Sequence, residues 1–440
     1  MFDPLKNYNF DRMNNLVKQI GTEQESLSQQ EQPSVEVIQF NENNSQVVNL
    51  KFNEFLENVD NLKPFFSNVE KLFISYNDLN EEILSEKVKH SELENLSKKC
   101  LLLDASHNNF SSLSRDIWSL LFNASLKILD LSFNEFSEII PSTANESWLP
   151  KVEVINLGNN KITEITKGGV TPSNILPSLK VFNLSNNSVT SETLNNILFG
   201  NQFKNLKVLH LNSNKIEGAL TVKDDQCVNT SIEEIYLDEN KITAVESSWL
   251  AALPNLKVLS LAFNKISSVQ IAQESKLERV NLHSNQLTDM DQMVALFTPA
   301  LRVLTLHQNQ IAHIPEQVGN CTSLEEITLY NNKLKSVPKG LFNLIKLETL
   351  YLQNNELTEL PEDLGNLENL KELDLFENKL TTLPSSIGKL VMMKRLCLDN
   401  NDLRSIPADI INLSNLIAFS FHGNRNLKVS PYISMMTTGL

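Results

Sequence analysis

Aromatic, imidazole and acidic side chains recur at a fixed spacing in the second half of this 440-residue sequence. His307, Tyr330 and Phe376 belong to one series with a 23-residue step, and Tyr351 and Asp374 belong to a second series placed two residues earlier. Aromatic side chains offer a large contact area and lose little rotamer entropy on binding, and carboxylates pair with lysine or arginine. This pattern indicates a surface that binds another protein. The predicted partner-binding residues are Tyr236, Asp238, His283, His307, Tyr330, Tyr351, Asp374, Phe376 and Asp399.

Two other interpretations of the same residues stay open at this stage. Aromatic residues on neighbouring strands pack against each other across a sheet and contribute about 0.2–1 kcal/mol for each pair. His283 and His307 occupy equivalent positions in successive repeats, close enough to share a metal ion, but no carboxylate occupies the same series in either repeat. We therefore expect no metal site. The acidic runs around Asp238 and Asp374 could pair with a basic partner or form a solvated surface.

The sequence lacks the motifs of common enzymes. It contains twelve glycines, and none of them forms a GxGxxG or GxxxxGK[ST] phosphate-binding loop. GxSxG, HExxH and kinase-type catalytic loops are also absent. Gly319, Gly365 and Gly388 recur at one phase of the repeat, which predicts turn residues rather than a nucleotide site. We predict a protein with no enzymatic activity and no cofactor.

A repeat positions these candidate residues. Its form is Leu-x-x-Leu-x-Leu-x-x-Asn-x-Leu, as in "LETLYLQNNEL" at residues 347–357. The asparagine of the repeat, here called the ladder asparagine, recurs sixteen times, and from position 309 onward every step is 23 residues. Its positions are 53, 77, 108, 134, 160, 187, 214, 240, 264, 285, 309, 332, 355, 378, 401 and 424. A period of this kind predicts a solenoid, in which each turn buries its leucines only against its neighbours.

Each repeat predicts one short strand. Leu350 and Leu352 alternate with Tyr351, which is the period of two expected of a strand with one buried face. Stacked turns would pair these strands into one parallel concave sheet of about sixteen strands, with the candidate residues on its outward face. The asparagine amide can donate to and accept from neighbouring backbone groups where the chain leaves the strand.

The segments that return the chain to the next strand differ between the two halves. Between positions 108 and 240 the steps lengthen, and the stretches 115–126 and 191–203 have apolar residues at helical spacing. The first half is therefore predicted to have an α-helical convex side. From position 309 onward one proline recurs in each repeat, which suits a short extended or 3₁₀ return, because proline fixes φ and donates no hydrogen bond.

The repeat is identified as a member of the leucine-rich repeat superfamily, which implies an α/β horseshoe-shaped solenoid. The 23-residue turns resemble the intracellular Ras-group repeat proteins, which implies a scaffold for a small GTPase, a phosphatase or a kinase. The longer turns, such as residues 179–205, resemble the repeats of tubulin-folding cofactor E, although the cap-glycine domain of that cofactor is absent from this sequence.

The repeats divide the sequence into four parts. Residues 1–34 are predicted to form a tail, with a short helix over residues 1–20 followed by a disordered linker. Residues 35–240 hold a capping strand and the longer repeats, and residues 241–426 hold the regular ones. Residues 427–440 are predicted to cap the last turn, with its open end covered by the three side chains Leu427, Val429 and Tyr432.

The segment "VIQF", at residues 37–40, has two interpretations. It resembles the basic–Val–x–Phe motif with which some Ras-group scaffolds bind the catalytic subunit of protein phosphatase 1. Ile38 and Phe40 would be the two apolar residues of that motif. The basic residues expected before them are missing, because Glu36 and Val37 occupy those positions. We therefore interpret the segment as the capping strand before the first repeat.

Charge and composition limit the classes of partner that the protein is expected to bind. The net charge of −15 disfavours nucleic acid and anionic lipid, and no apolar run is long enough to span a membrane. The four cysteines are far apart, and the first residues lack a secretory signal, so we expect a cytoplasmic protein. Unpaired strand edges at the ends of the array would allow a weak homodimer as well as a monomer.

These features predict a non-enzymatic scaffold or adaptor that binds a partner protein on its concave face. The alternative is the regulatory or targeting repeat region of a longer protein. In that case a catalytic domain, such as a 2C-type phosphatase, would lie outside this sequence.

Overall fold

A seventeen-stranded sheet forms the concave face of the molecule. In the computed structural model the described residues are 37–40, 46–49, 69–80, 82–83, 99–112, 125–140, 149–166, 176–200, 203–222, 228–271 and 275–433. Val37–Phe40 (β1), the segment interpreted as a capping strand, is antiparallel to Gln46–Asn49 (β2). From β2 onward every neighbouring pair in the sheet is parallel. The predicted sheet of about sixteen parallel strands is confirmed.

Most strands of this sheet contain three residues, because the chain bends away at the ladder asparagine. Fifteen strands follow β1 and β2 in the sheet. They are Val69–Phe73 (β3), Leu102–Asp104 (β4), Ile128–Asp130 (β5), Val154–Asn156 (β7), Val181–Asn183 (β9), Val208–His210 (β10), Glu234–Tyr236 (β12), Val258–Ser260 (β14), Arg279–Asn281 (β16), Val303–Thr305 (β17), Glu326–Thr328 (β18), Thr349–Tyr351 (β19), Glu372–Asp374 (β20), Arg395–Cys397 (β21) and Ala418–Ser420 (β22). The central residue of each three-residue strand points into one continuous hydrophobic core.

Two smaller parallel sheets lie on the flank where the chain leaves the concave sheet, and the sequence patterns did not predict them. One contains Glu138–Ile140 (β6) and Glu164–Thr166 (β8). The other contains Glu217–Leu220 (β11), Lys241–Val245 (β13) and Ser268–Val269 (β15). These strands form where consecutive turns place extended segments side by side after the ladder asparagine.

Each ladder asparagine joins two successive turns. Asn332 accepts a hydrogen bond from the Ile311 amide at its Oδ1 atom (2.9 Å). Its Nδ2 atom donates to the carbonyl oxygens of Leu306 in the preceding turn (3.1 Å) and of Leu329 in its own turn (3.0 Å). The same pattern recurs along the array, so these buried side chains satisfy the backbone groups that the bend would otherwise leave unpaired.

The residue before each ladder asparagine adopts a left-handed backbone conformation. From Tyr76 to Asn400 all of these residues have φ between 52 and 59°, and Gly423 has φ 78°. This conformation favours glycine and asparagine. Aromatic residues at this position, such as Phe133 and Phe263, therefore occupy it against their intrinsic preference.

The predicted change in the return segments is confirmed. Ser191–Phe199 (α1) is an α-helix whose N-cap, Thr190, accepts a hydrogen bond from the Thr193 amide. Ser247–Ala251 (α2) is a shorter α-helix that buries Trp249. The helix predicted over residues 115–126 lies mostly outside the described residues.

Short 3₁₀ helices replace these α-helices in the second half. The first is Asp291–Leu296 (η1). It is followed by Glu316–Asn320 (η2), Lys339–Asn343 (η3), Glu362–Asn366 (η4), Ser385–Lys389 (η5) and Ala408–Asn412 (η6). A proline immediately precedes each of η2 to η6 and has an extended or near-extended conformation there.

The prediction that Gly319, Gly365 and Gly388 are turn residues is wrong. They lie inside 3₁₀ helices without a positive φ, and the reason for glycine is space. A Cβ atom at Gly388 would lie 2.5 Å from the carbonyl oxygen of Asp409, in the next return. Glycine therefore lets the backbones of successive returns approach each other.

The C-terminal end closes the core differently from the prediction. Leu427 and Val429 pack against the core as expected. Tyr432 is 74% exposed, and the neighbouring Ile433 is buried in its place, because a short helical turn directs Ile433 inward. The predicted tail at residues 1–34 lies outside the described residues, and the four-part division of the chain stays a prediction.

Replacement of Asn332 by alanine should destabilise the array. The substitution leaves the Ile311 amide and the Leu306 and Leu329 carbonyls without their partner, at roughly 1–3 kcal/mol for each group that water does not reach. We expect the free energy of unfolding in urea to fall by about 2–4 kcal/mol. Lys335→Ala, at an exposed position of the same turn, is the control and should change it by less than about 0.5 kcal/mol. Equal losses for the two variants would show that the ladder does not stabilise this turn.

Replacement of Gly388 by alanine should also destabilise the second half, by roughly 1–3 kcal/mol, because the new methyl group overpacks the contact with Asp409. The matched control is Gly158→Ala, where the nearest atom, Asn183 Nδ2, would lie 3.2 Å away at the end of a side chain. Thermal unfolding of both variants tests this difference. A melting temperature of Gly388→Ala equal to that of Gly158→Ala would contradict the close-packing explanation.

Candidate functional site

The predicted partner-binding residues lie on the concave face of seven turns, and the turn of Asn264 contributes none of them. Tyr351 is paired in register with Asp374, and Asp374 is paired with Cys397. Since neighbouring strands lie about 4.8 Å apart, side chains at equivalent positions form rows across the sheet. We call the nine predicted residues the concave stripe. It comprises Tyr236, Asp238, His283, His307, Tyr330, Tyr351, Asp374, Phe376 and Asp399.

The middle of the concave stripe is a stack of rings. His283 and His307 are stacked with centroids 4.3 Å apart, and His307 and Tyr330 with centroids 4.1 Å apart. Phe263 contacts His283 edge-on at 4.6 Å. The alternative interpretation of aromatic packing across the sheet therefore holds for these turns, and it leaves part of Tyr330 exposed at the end of the stack.

Tyr236 is not an exposed anchor, so that part of the prediction is wrong. Only 2% of Tyr236 is exposed. Its hydroxyl donates to Glu234 Oε2 at 2.8 Å, and its ring stacks on that of His210 at 4.7 Å. His283 and His307 are also buried. These side chains lie low in the concave trough, where neighbouring rings and flanking polar groups cover them.

His210 belongs to this row and was missed. It precedes its ladder asparagine by the same four residues as Tyr236, so the repeat itself would have placed it beside Tyr236. Burial lowers the pKa of His210 to about 4. The imidazole is therefore neutral over the physiological pH range and acts as a flat packing surface.

The Asp238 carboxylate is used inside the sheet. Its Oδ1 atom accepts hydrogen bonds from the Ser260 hydroxyl (2.6 Å) and the Ala262 amide (2.7 Å), and the Asp238 amide donates to Asn212 Oδ1 (2.9 Å). Asn281 extends this network with a bond to the Ser260 hydroxyl (3.1 Å). Asp238 therefore holds three turns together, in addition to any contact with a partner.

The C-terminal part of the concave stripe is more open. Tyr351, Asp374, Phe376 and Asp399 are each partly exposed. The Tyr351 hydroxyl donates a hydrogen bond to Glu372, and burial, followed by this bond, raises the pKa of Tyr351. The phenol therefore stays protonated and can still accept a hydrogen bond from a ligand.

Two carboxylates lie beside these aromatic rings. Asp374 accepts a hydrogen bond from the Phe376 amide (2.9 Å), and burial raises the pKa of Asp374 above its ordinary value. Asp399 accepts a weak bond from the Cys397 thiol (3.6 Å) and lies 3.4 Å from the Nδ1 atom of the exposed His422. The combination of rings and partly buried carboxylates suits a ligand with both apolar and basic groups.

Metal chemistry finds no support in the described part of the chain, where no group of three or more histidine, cysteine, aspartate or glutamate side chains is placed to hold an ion. The same residues contain no helix with the length and hydrophobicity needed to cross a bilayer. Three cysteines are described, and all are free thiols.

Three profiles of known families match the sequence. One described as "Leucine-rich repeat region" matches residues 339–430, and one described as "Leucine rich repeat" matches residues 230–272 and 275–334. A third, also described as "Leucine Rich Repeat", matches residues 125–145. No protein with a curated description matches the chain. The finer resemblances to Ras-group scaffolds and to tubulin-folding cofactor E stay predictions.

Solved structures with the same fold cover most of the chain. A leucine-rich repeat protein of Leptospira interrogans is 28% identical, with a TM-score of 0.70, over 88% of this chain and 92% of that protein. An internalin of Listeria monocytogenes is 19% identical, with a TM-score of 0.50, over 76% and 89% of the two chains. The plant peptide hormone receptor RGFR1, solved with RGF2, is 23% identical, with a TM-score of 0.55, over 82% and 60%.

His210→Gln should weaken the pH dependence of stability. The pKa of His210 is about 4 in the folded protein, against an ordinary value of 6.5. Between these values the unfolded chain binds the additional proton, so stability falls as the pH drops through this window. From pH 7.5 to 4.5 we expect the wild type to lose about 2–3 kcal/mol more than His210→Gln in urea unfolding. His313→Gln, at an exposed position, is the control. Identical losses for His210→Gln and the wild type would contradict a buried neutral imidazole.

Proposed function

Because this chain belongs to the leucine-rich repeat superfamily, we propose that it is a non-enzymatic scaffold that binds a partner protein on its concave face. The contact is centred on the open part of the concave stripe, from Tyr330 to Asp399. The leucine and asparagine skeleton is common to all turns and builds the solenoid. The side chains that differ between turns are the ones available for recognition.

One observation carries this proposal. On consecutive turns, Tyr330, Tyr351 and Phe376 are partly exposed aromatic residues, and the partly buried carboxylates of Asp374 and Asp399 lie in the same and the next turn. Aromatic anchors bordered by charged groups are typical of the energetic centre of protein interfaces. The buried ring stack beside them gives this surface a firm support.

The mechanism is binding to a surface that is already formed. Parallel strands and the asparagine ladder fix the positions of the concave side chains before a partner arrives. A rigid surface loses little conformational entropy on binding, so a small number of anchors gives useful affinity. The acidic groups favour a partner with lysine or arginine opposite Asp374 and Asp399.

The partner classes implied by the repeat are a small GTPase, a phosphatase or a kinase, and the proposed location is the cytoplasm. Wide spacing of the cysteines supports a reducing compartment. Oligomeric state stays a prediction, with a monomer and a weak homodimer both compatible. The alternative role as a targeting region also stays a prediction, because its catalytic domain would lie outside this sequence.

Replacement of Tyr330, Tyr351 and Phe376 together by alanine should abolish partner capture. The partner would be captured from cell lysate by the wild-type protein and quantified by mass spectrometry. We expect the captured amount of a specific partner to be at least about tenfold lower with the triple variant than with the wild type. The reason is that truncation of a hot-spot residue costs roughly 2 kcal/mol or more of binding free energy. A photo-crosslinking amino acid at position 376 should form a covalent adduct with the same partner.

A matched triple variant controls for the loss of exposed apolar surface. Ile345, Val391 and Ile411 are exposed in the same part of the array but outside the concave sheet, and their replacement by alanine should leave capture unchanged. Melting curves of both variants check that the fold is intact. If a well-folded concave variant retains every partner, or if only the control loses one, the concave face is not the binding surface.

A further inference from the structure

A second group of stacked rings lies at the edge of the concave face, in turns that the concave stripe does not include. Tyr76 and His107 stack with centroids 4.0 Å apart, and His107 and Phe133 with centroids 4.1 Å apart. We call these three residues the edge stack. Although the rings cover each other, 43% of Tyr76 and 47% of Phe133 are exposed, so the ring edges form an apolar ridge in solvent.

The backbone of the edge stack is unfavourable for these residues. All three precede a ladder asparagine and have φ of 59, 52 and 53°, in the left-handed region that bulky side chains avoid. At the equivalent position, the turns that follow have Asn159 and Asn186, which suit this conformation. Nothing in the core requires aromatic rings here, because the ridge points away from the core. Residues held against their conformational preference frequently mark functional surfaces.

Two carboxylates lie on the strands that lead into the edge stack. Asp104 and Asp130 are paired in register on adjacent strands, three residues before His107 and Phe133. Ser106 donates to Asp104 Oδ1 at 2.6 Å, and Ser132 donates to Asp130 Oδ1 at 2.7 Å. These bonds hold both carboxylates in fixed orientations on the concave side of the ridge.

Among the described residues, neither carboxylate forms an ion pair with a lysine or an arginine. The ion pair nearest to them in sequence joins Glu135 to Lys161. A buried apolar row of Leu102, Ile128 and Val154 lies on their other side. Burial, followed by the negative charge of Asp104, raises the pKa of Asp130. The pair is therefore an uncompensated acidic group between two apolar rows.

We propose that the edge stack and the Asp104–Asp130 pair bind an arginine side chain of a partner peptide. The methylene groups of the arginine pack on the ring edges of Tyr76, His107 and Phe133. The guanidinium lies over the two carboxylates, whose spacing across adjacent strands matches a planar group with several N–H donors. The bound charge compensates the pair that the fold leaves uncompensated, and the net charge of −15 favours the approach of a basic segment.

This surface is separate from the one proposed for the concave stripe. The edge stack lies at residues 76–133, and the open part of the concave stripe lies at residues 330–399. No residue is shared, so variants of one surface test it without altering the other. A phosphate-rich ligand such as RNA is disfavoured here, because Asp104 and Asp130 would repel it.

The test is an NMR titration of the full chain labelled with ¹³C in its seven histidine rings. The probe is the peptide acetyl-Gly-Leu-Arg-Leu-Gly-amide, and the comparison is the same peptide with citrulline, which keeps the shape of arginine and lacks its charge. We expect saturable shifts of the His107 ring signals with the arginine peptide. The citrulline peptide should bind at least about tenfold more weakly.

Two variants address the two halves of the site. Asp104→Asn retains the acceptor for Ser106 and introduces a residue already present in this row as Asn156. Tyr76→Asn/Phe133→Asn introduces the residue that the left-handed conformation favours, so the fold should survive. Each variant should weaken binding of the arginine peptide at least about fivefold. The control is Phe263→Asn, which removes an exposed ring from the same position of a distant turn and should have no effect.

Either of two results would overturn the proposal. One is equal affinity of the wild type for the arginine and citrulline peptides. The other is unchanged affinity of the well-folded Asp104→Asn and Tyr76→Asn/Phe133→Asn variants, as judged by their melting temperatures. An arginine peptide that leaves the His107 signals unmoved and binds elsewhere counts against it as well.

Discussion

The structure depends on the hydrogen bonds of the ladder asparagines. Each side chain accepts from a backbone amide of the preceding turn and donates to carbonyl oxygens of both turns, as Asn332 does with Ile311, Leu306 and Leu329. The bend that ends each short strand would otherwise bury unpaired polar groups. Because the residue before the ladder asparagine has a left-handed conformation in every described turn, the chain leaves each strand in a similar direction.

A fixed exit direction gives the concave sheet rows of equivalent positions. The fold does not restrict the residue type in these rows, because the leucines between them supply the core. Each row can therefore hold serine, carboxylate or aromatic side chains. The two ring stacks show the range of outcomes. The His283–His307–Tyr330 stack is mostly buried and supports its neighbours, whereas the Tyr76–His107–Phe133 stack leaves its edges in solvent.

The repeat sufficed to predict the fold, because its period specifies strand, bend and return independently of distant contacts. The proline before each of η2 to η6 likewise made the 3₁₀ returns of the second half predictable. Burial within the concave trough was less predictable. Tyr236 faces the outer side of its strand and is nevertheless covered, because His210 stacks on it and Glu234 binds its hydroxyl. Such contacts depend on side-chain directions in three turns at once, which the sequence of one turn does not contain. The partners of the concave stripe and the edge stack are likewise not encoded in the period.

The glycines in the 3₁₀ returns have a mechanical consequence. At Gly319 and Gly388 the backbone of one return nearly touches that of the next, while the strands on the opposite side are joined by hydrogen bonds. Bending the second half therefore requires compression of one edge or rupture of the other, and we expect this half to behave as a stiff plate. None of the described glycines before residue 270 makes such a backbone contact between successive returns. Elastic deformation of the molecule should therefore concentrate in its first half, while the second half keeps its shape.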